Sequence, residues 1–102
     1  MPWFIKTETF TSDTSKLSPI QRAAFLEAHK KWINRLIEEN ITIASGYLVN
    51  ENHEPGGGGM LIFQAKSYKD AQYLIEQDPM ILNRLVKWEL QEWVPVAGEP
   101  FI

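Results

Sequence analysis

The strongest structural signal in this chain is the start of a long amphipathic helix at Ser18. Ser18 is a natural N-cap, Pro19 suits the first helical position, and Gln21 completes a capping box. Asn40 tolerates a positive φ and is predicted to close the helix. At about 100° per residue, the apolar side chains of this segment fall within one arc: Phe25, Leu26, Trp32, Ile33, Leu36 and Ile37. The helix must therefore bury that face.

His29 lies at the centre of the apolar arc. An imidazole in this position has two interpretations. It is either a core histidine whose ring nitrogens bond to neighbouring groups, or a group that exchanges protons with a ligand near neutral pH. The residues of the helix alone leave both open.

Four strands and a second helix are predicted around this helix. Aromatic and β-branched residues predict strands at 1–10, 41–49 and 60–66, and alternating apolar residues predict a last strand over 86–96. Glu92 shares the parity of the apolar residues in that last strand. A polar connection is expected at 11–17.

Two short signals punctuate the second half of the chain. Ser67 is predicted to cap a helix that carries Asp70 at its third position and ends at Asp78-Pro79, after which a short helical turn follows. The run Gly56–Gly59 lacks the Gly-Lys-Ser/Thr ending of a phosphate loop, so it is interpreted as the flexible tip of a hairpin. A flap over a ligand pocket, carrying His53, is the alternative.

The order of these elements predicts an α+β fold of the ferredoxin-like βαββαβ type, with a four-stranded antiparallel sheet and both helices on one face. A length of 102 residues suits a single domain spanning 1–102. The third strand is apolar on both parities, so the open face of the sheet is expected to be buried against a second sheet. A homodimer supplies that sheet most simply.

Composition narrows the function classes. The chain has no cysteine, which excludes disulfides and thiolate chemistry and favours a reducing compartment, so a cytoplasmic location is expected. Basic residues are dispersed among acidic ones and no long apolar run is present, so neither nucleic acid nor a membrane is an expected partner. Two histidines without metal-ligand spacing predict no metal site.

The order of His29, Gly46, Ser67 and Asp78-Pro79 resembles the YciI-like (YCII) family over nearly the whole chain. The resemblance implies a dimeric α+β barrel with an active site formed by His29 and Asp78, and with Gly46 beside the pocket. Four positions depart from the family pattern: Leu26 replaces a frequent arginine, Asn40 a glycine, Tyr47 a proline and Met80 an aromatic residue. A substrate anion that relied on that arginine would lose a partner here.

Two functions are consistent with these residues. One is a small cofactor-independent enzyme of the isomerase or lyase type, in which His29 and Asp78 perform acid-base chemistry on a small organic molecule. Asp78 also suits a simple N-cap before Pro79. The other function is a non-catalytic module that binds a small molecule or a protein. The predicted binding residues are Ser45, Gly46, Tyr47 and Trp93.

Two of these binding residues have a structural interpretation as well. No nucleophile-elbow pattern surrounds Ser45, so its hydroxyl is expected to bond within the sheet. Trp93 is the best candidate among the tryptophans for a core or dimer-interface anchor, or for stacking on a ligand.

Overall fold

The computed structural model describes residues 1–99. They form one four-stranded sheet in the order β2-β3-β1-β4, and each neighbouring pair of strands is antiparallel. The predicted ferredoxin-like α+β arrangement is confirmed, with two additional short helices. The elements are β1 (Trp3–Phe10), α1 (Ser12–Ser15), α2 (Pro19–Glu38), β2 (Ile43–Val49), β3 (Pro55–Gln64), α3 (Tyr68–Ile75), α4 (Pro79–Leu82) and β4 (Val86–Trp93).

Local capping determines where the helices begin. The Ser18 hydroxyl accepts the Gln21 backbone N–H at 3.1 Å, and the Gln21 side chain accepts the Ser18 N–H at 2.8 Å, so the predicted capping box is present. Asn40 follows α2 with φ 66°, as its tolerance of the left-handed region predicts. Ser67 caps α3 by accepting the Asp70 N–H at 3.2 Å.

The core lies between the sheet and the two longer helices. Phe4 and Phe63 stack at 5.9 Å between ring centroids on the helix-facing side of the sheet. The buried side chains packed around them come from α2, α3, β3, β4 and the residue that follows β3: Trp32, Ile33, Leu36, Leu61, Ala65, Ala71, Ile75 and Leu90. This burial supplies the main apolar driving force for holding the helices on one face.

The glycine run does not form a flexible tip. Gly56–Gly59 lie inside β3, where Gly59 pairs with Glu8 on one side and with Tyr47 on the other. Gly58 has φ +88°, and a Cβ there would overlap the Glu8 carbonyl oxygen. The prediction of a flexible loop was therefore wrong, because the glycines allow β1 to pass against the strand.

The turn before β3 is also well hydrogen-bonded. The Asn50 side-chain oxygen accepts the backbone N–H groups of Asn52 and Glu54 at 2.9 and 3.0 Å. His53 is exposed in this turn with φ 62°. Because these bonds order the turn, they do not favour the alternative prediction of a flap that carries His53.

Other boundaries differ from the predicted ones. The expected polar connection at 11–17 contains the short helix α1. The buried Thr14 hydroxyl attaches α1 to the residue before β4 by donating to the Leu85 carbonyl at 2.6 Å. β4 ends at Trp93, and Val94 and Val96 beyond it are exposed. Glu92 lies at the exposed end of β4 on the helix-facing parity.

The predicted domain extends to residue 102, and its last three residues lie outside the described range. None of the helices within residues 1–99 has the length and apolar character to cross a membrane.

Candidate active site

The site is built around a direct contact between α2 and the start of α4. His29 Nδ1 lies 2.9 Å from Asp78 Oδ1, and the same oxygen accepts the Met80 backbone N–H at 3.0 Å. Asp78 is fully buried, whereas the His29 side chain keeps 14% of its surface exposed. Asp78 therefore caps α4 as predicted and also binds the imidazole.

The charge of Asp78 defines the hydrogen-bonding state of His29. Burial acts to raise the pKa of Asp78, but it is outweighed by the hydrogen bond and charge of His29, by the Met80 N–H and by Lys6, so the pKa lies below its ordinary value of 3.8. A carboxylate only accepts hydrogen bonds, so Nδ1 of His29 must carry the proton toward Asp78. In the neutral imidazole, Nε2 then holds the free lone pair.

Ser45 is the group that meets this lone pair. Its Oγ lies 2.9 Å from His29 Nε2, so the hydroxyl donates to the neutral ring. The expectation that Ser45 bonds within the sheet was wrong, because β2 passes beside α2 at this point and its helix-facing hydroxyl meets the imidazole. Ser45, His29 and Asp78 form a chain from an exposed hydroxyl to a buried carboxylate.

Lys6 and Glu8 belong to the same cluster and were missed in the sequence. Lys6 Nζ lies 2.7 Å from Glu8 Oε1 and 3.5 Å from Asp78 Oδ2, and the Lys6 side chain is fully buried. Asp78 Oδ2 receives no hydrogen bond from residues 1–99, so Lys6 stabilises it through charge. A signal was available: Lys6 and Glu8 share the strand parity of Phe4, which places charges on the core-facing side of β1.

An open cavity of about 520 Å³ lies between α2, β2 and the glycine segment of β3. His29, Ser45 and Glu8 line it, as do Gly46 and Tyr47, so three of the four predicted binding residues meet the histidine in one cavity. Leu26 and Ile37 of the apolar arc are about half exposed because they form the cavity wall instead of the core.

Trp93 does not join this cavity. It pairs with Trp3 in the sheet, and both lie on the parity opposite to core-facing Phe4, on the face that the helices leave open. The prediction of Trp93 as a ligand-binding residue is therefore wrong for this cavity. Residues 1–99 also contain no group of three or more His, Cys, Asp or Glu side chains placed to hold a metal ion.

The lowered pKa of Asp78 predicts a specific loss of stability in acid. A carboxyl whose folded-state pKa lies below 3.8 contributes stability that is complete above that pH and lost as the pH falls through the lowered value. Asp78→Asn lacks this contribution at every pH, so the variant should have a lower unfolding free energy than the native protein near neutral pH. The difference between the two proteins should shrink on acidification toward about pH 2, because the native protein then loses the same contribution. Urea unfolding of both proteins across this range measures the deficit. A deficit that does not change with pH would contradict the assigned ionisation.

Comparison with known proteins identifies the family. The sequence profile of the YCII-related domain matches residues 7–93. The chain belongs to the YCII-related family. No curated protein sequence matches the chain.

Solved structures share the fold of this YCII-related chain. One is 5-chloro-2-hydroxyhydroquinone dehydrochlorinase (TftG) from Burkholderia phenoliruptrix AC1100, in complex with 2,5-dihydroxybenzoquinone, with a TM-score of 0.67 and 18% identity over 90% of this chain and 93% of that chain. Another is At3g17210 from Arabidopsis thaliana, with a TM-score of 0.54 and 15% identity over 97% of this chain and 99% of that one. At these identities the similarity shows a common fold.

Proposed function

We propose that this YCII-related protein is a small enzyme of the isomerase or lyase type that transfers protons with His29 and Asp78 and needs no cofactor. The observation that carries the proposal is the position of His29 at an open cavity, with Nδ1 held by the buried Asp78 carboxylate and Nε2 facing the Ser45 side. General acid-base catalysis requires a group of this kind within reach of the substrate.

The proposed reaction begins with a proton on the substrate. Nε2 of His29 takes that proton once the Ser45 hydroxyl turns from the ring to an oxygen of the substrate. The carboxylate of Asp78 stabilises the imidazolium that forms. The proton then returns to a different substrate atom in an isomerisation, or leaves with the departing anion in an elimination. Lys6 does not line the cavity and acts as a positioning residue for Asp78 and Glu8.

The proposed substrate is a small oxygenated organic molecule, with hydroxylated aromatic rings and quinones as the first class to test. TftG has the same fold, acts on 5-chloro-2-hydroxyhydroquinone and binds 2,5-dihydroxybenzoquinone. The cavity of about 520 Å³ falls in the range of small-molecule sites. Elimination of hydrogen chloride needs a base to accept the substrate proton, which is the role proposed for His29.

A non-catalytic ligand-binding module is the second candidate. Both ring nitrogens of His29 already have partners, Asp78 at one end and Ser45 at the other. A histidine satisfied in this way also serves to hold α2 against α4 and β2. In that case the cavity binds a molecule without changing it.

Turnover and binding assays separate the two candidates. The protein is incubated with 5-chloro-2-hydroxyhydroquinone while chloride release is followed, and 2,5-dihydroxybenzoquinone is titrated in parallel by calorimetry. Turnover that disappears in His29→Gln supports the enzyme. Binding without turnover supports the module, and turnover that persists in His29→Gln contradicts the role of His29. The absence of both binding and turnover would exclude this substrate class.

The homodimer is proposed on the open face of the sheet. That face carries partly exposed apolar side chains on neighbouring strands, including Trp3, Ile5, Met60 and Trp93. A second copy would bury them and form the barrel-like core that the sequence predicts. Sedimentation equilibrium at micromolar concentration should give the mass of a dimer. A compact monomer there would contradict the buried open face.

A further inference from the structure

A second cavity of about 450 Å³ adjoins the one that contains His29. It lies beside α1 and the first half of α2, and its walls include Leu17, Phe25 and Leu85. Three apolar side chains line both cavities: Phe10, Leu26 and Met80. The two spaces therefore meet along one apolar boundary.

Most hydroxyl groups of the second cavity are already used. Thr11 Oγ1 donates to the Arg84 carbonyl at 2.9 Å, Thr14 Oγ1 to the Leu85 carbonyl at 2.6 Å, and Ser15 Oγ to the Ser12 carbonyl at 2.6 Å. These bonds stabilise α1 and its contact with the start of β4, so they are not offered to a ligand. The cavity wall is otherwise mainly apolar.

Arg22 is the charged residue on this wall. Its guanidinium forms no ion pair with any side chain in residues 1–99. Arg22 and His29 are seven residues apart in α2, which corresponds to a rise of about 10 Å along the helix. A guanidinium that has no partner among the described residues suits a carboxylate, which it can bind through two parallel hydrogen bonds.

We propose that the two cavities form one elongated site for an aryl-alkyl carboxylate. The aryl end lies at His29, the alkyl body passes Phe10, Leu26 and Met80, and the carboxylate pairs with Arg22. The aryl group and the assignment of the His29 end as the reacting end rest on the proposed function, whereas the apolar body and the pairing of a carboxylate with Arg22 rest on the two cavities.

Charge favours this orientation of the ligand. Lys6, Glu8 and Asp78 together carry one net negative charge, and Glu8 lines the His29 cavity. A ligand carboxylate is repelled from that end. Lys30 also lines the His29 cavity and is the competing cation, so it provides the decisive comparison.

Calorimetric titration of a graded series of acids tests the site. The probes are phenylacetate, phenylbutyrate and phenylhexanoate, and the last matches a span of about 10 Å between ring and carboxylate. Affinity should increase along the series in the native protein. Arg22→Gln should weaken phenylhexanoate binding about fivefold and leave phenylacetate binding nearly unchanged, while Lys30→Gln has the smaller effect on phenylhexanoate.

Controls separate this site from the catalytic proposal. His29→Gln should keep the Arg22-dependent binding of phenylhexanoate even where turnover is lost, so failure of the enzyme function leaves the binding result intact. Phenylhexanol should bind equally to the native protein and to Arg22→Gln. Equal weakening by Lys30→Gln and Arg22→Gln, affinity that does not depend on chain length, or no binding of phenylhexanoate would overturn the elongated site.

Discussion

Lys6→Met is expected to lower the free energy of unfolding by about 3–5 kcal/mol. Lys6 lies with no exposed side-chain surface between two carboxylates, Glu8 at 2.7 Å and Asp78 at 3.5 Å. Removing the ammonium leaves the fully buried Asp78 without its countercharge and places two negative groups near each other. Breaking a buried ion pair on one side is more costly than replacing both partners, because the remaining charge is uncompensated.

Urea denaturation measures this loss, with Lys69→Met as the matched control. Lys69 is an exposed lysine on α3, so the same substitution there should change the unfolding free energy by no more than about 0.5 kcal/mol. The double variant Lys6→Met/Asp78→Asn should recover part of the loss, since the unpaired charge is then gone. If Lys6→Met matched Lys69→Met, the buried charge cluster would not contribute to stability as argued.

His29→Gln is expected to reduce turnover by about 10²–10⁴-fold, the usual contribution of a positioned acid-base group. Glutamine retains hydrogen-bonding groups on the side chain but cannot accept and release a proton near neutral pH. The test uses chloride release from 5-chloro-2-hydroxyhydroquinone, the substrate of TftG. The loss of activity in His29→Gln should be far larger than any loss of stability, which the urea-unfolding midpoint measures. The reason is that the His29 side chain is 14% exposed beside an open cavity.

The chain offers a matched control in its second histidine. His53 is exposed in the turn before β3 and does not line the His29 cavity. His53→Gln should therefore retain native turnover. Native turnover in both His29→Gln and His53→Gln would mean that neither imidazole transfers the proton.

Elements defined by nearby residues could be predicted from the sequence. The start of α2 depends on Ser18 and Gln21, three residues apart, and both hydrogen bonds of the capping box are present. The glycine segment could not be predicted in this way, because its structure depends on the distant strand β1. Gly58 and Gly59 are required by the close approach of Glu8, which no local pattern encodes.

The candidate site shows the same division. The resemblance to the YciI-like family implied a pair of His29 and Asp78, and the structure brings these residues to 2.9 Å. Ser45 and Lys6 join them only because β2 and β1 pass beside α2 and α4, so their contacts depend on tertiary packing. The parity of Lys6 places a charge on the core-facing side of β1, a signal that was missed, and its partner Asp78 is 72 positions further along the sequence.

Measurement of the His29 ring-nitrogen chemical shifts by NMR, in the native protein and in Asp78→Asn, tests the central claim most directly. In the native protein Nδ1 should carry a proton, because it faces the Asp78 carboxylate at 2.9 Å. In Asp78→Asn the preference for a proton on Nδ1 should weaken, because the carboxylate that accepts its hydrogen bond is gone. The exposed His53 supplies an internal reference whose ring signals should be the same in both proteins. A His29 proton held on Nε2 in place of Nδ1, or ring-nitrogen shifts that do not change in Asp78→Asn, would contradict an acid-base pair in this site.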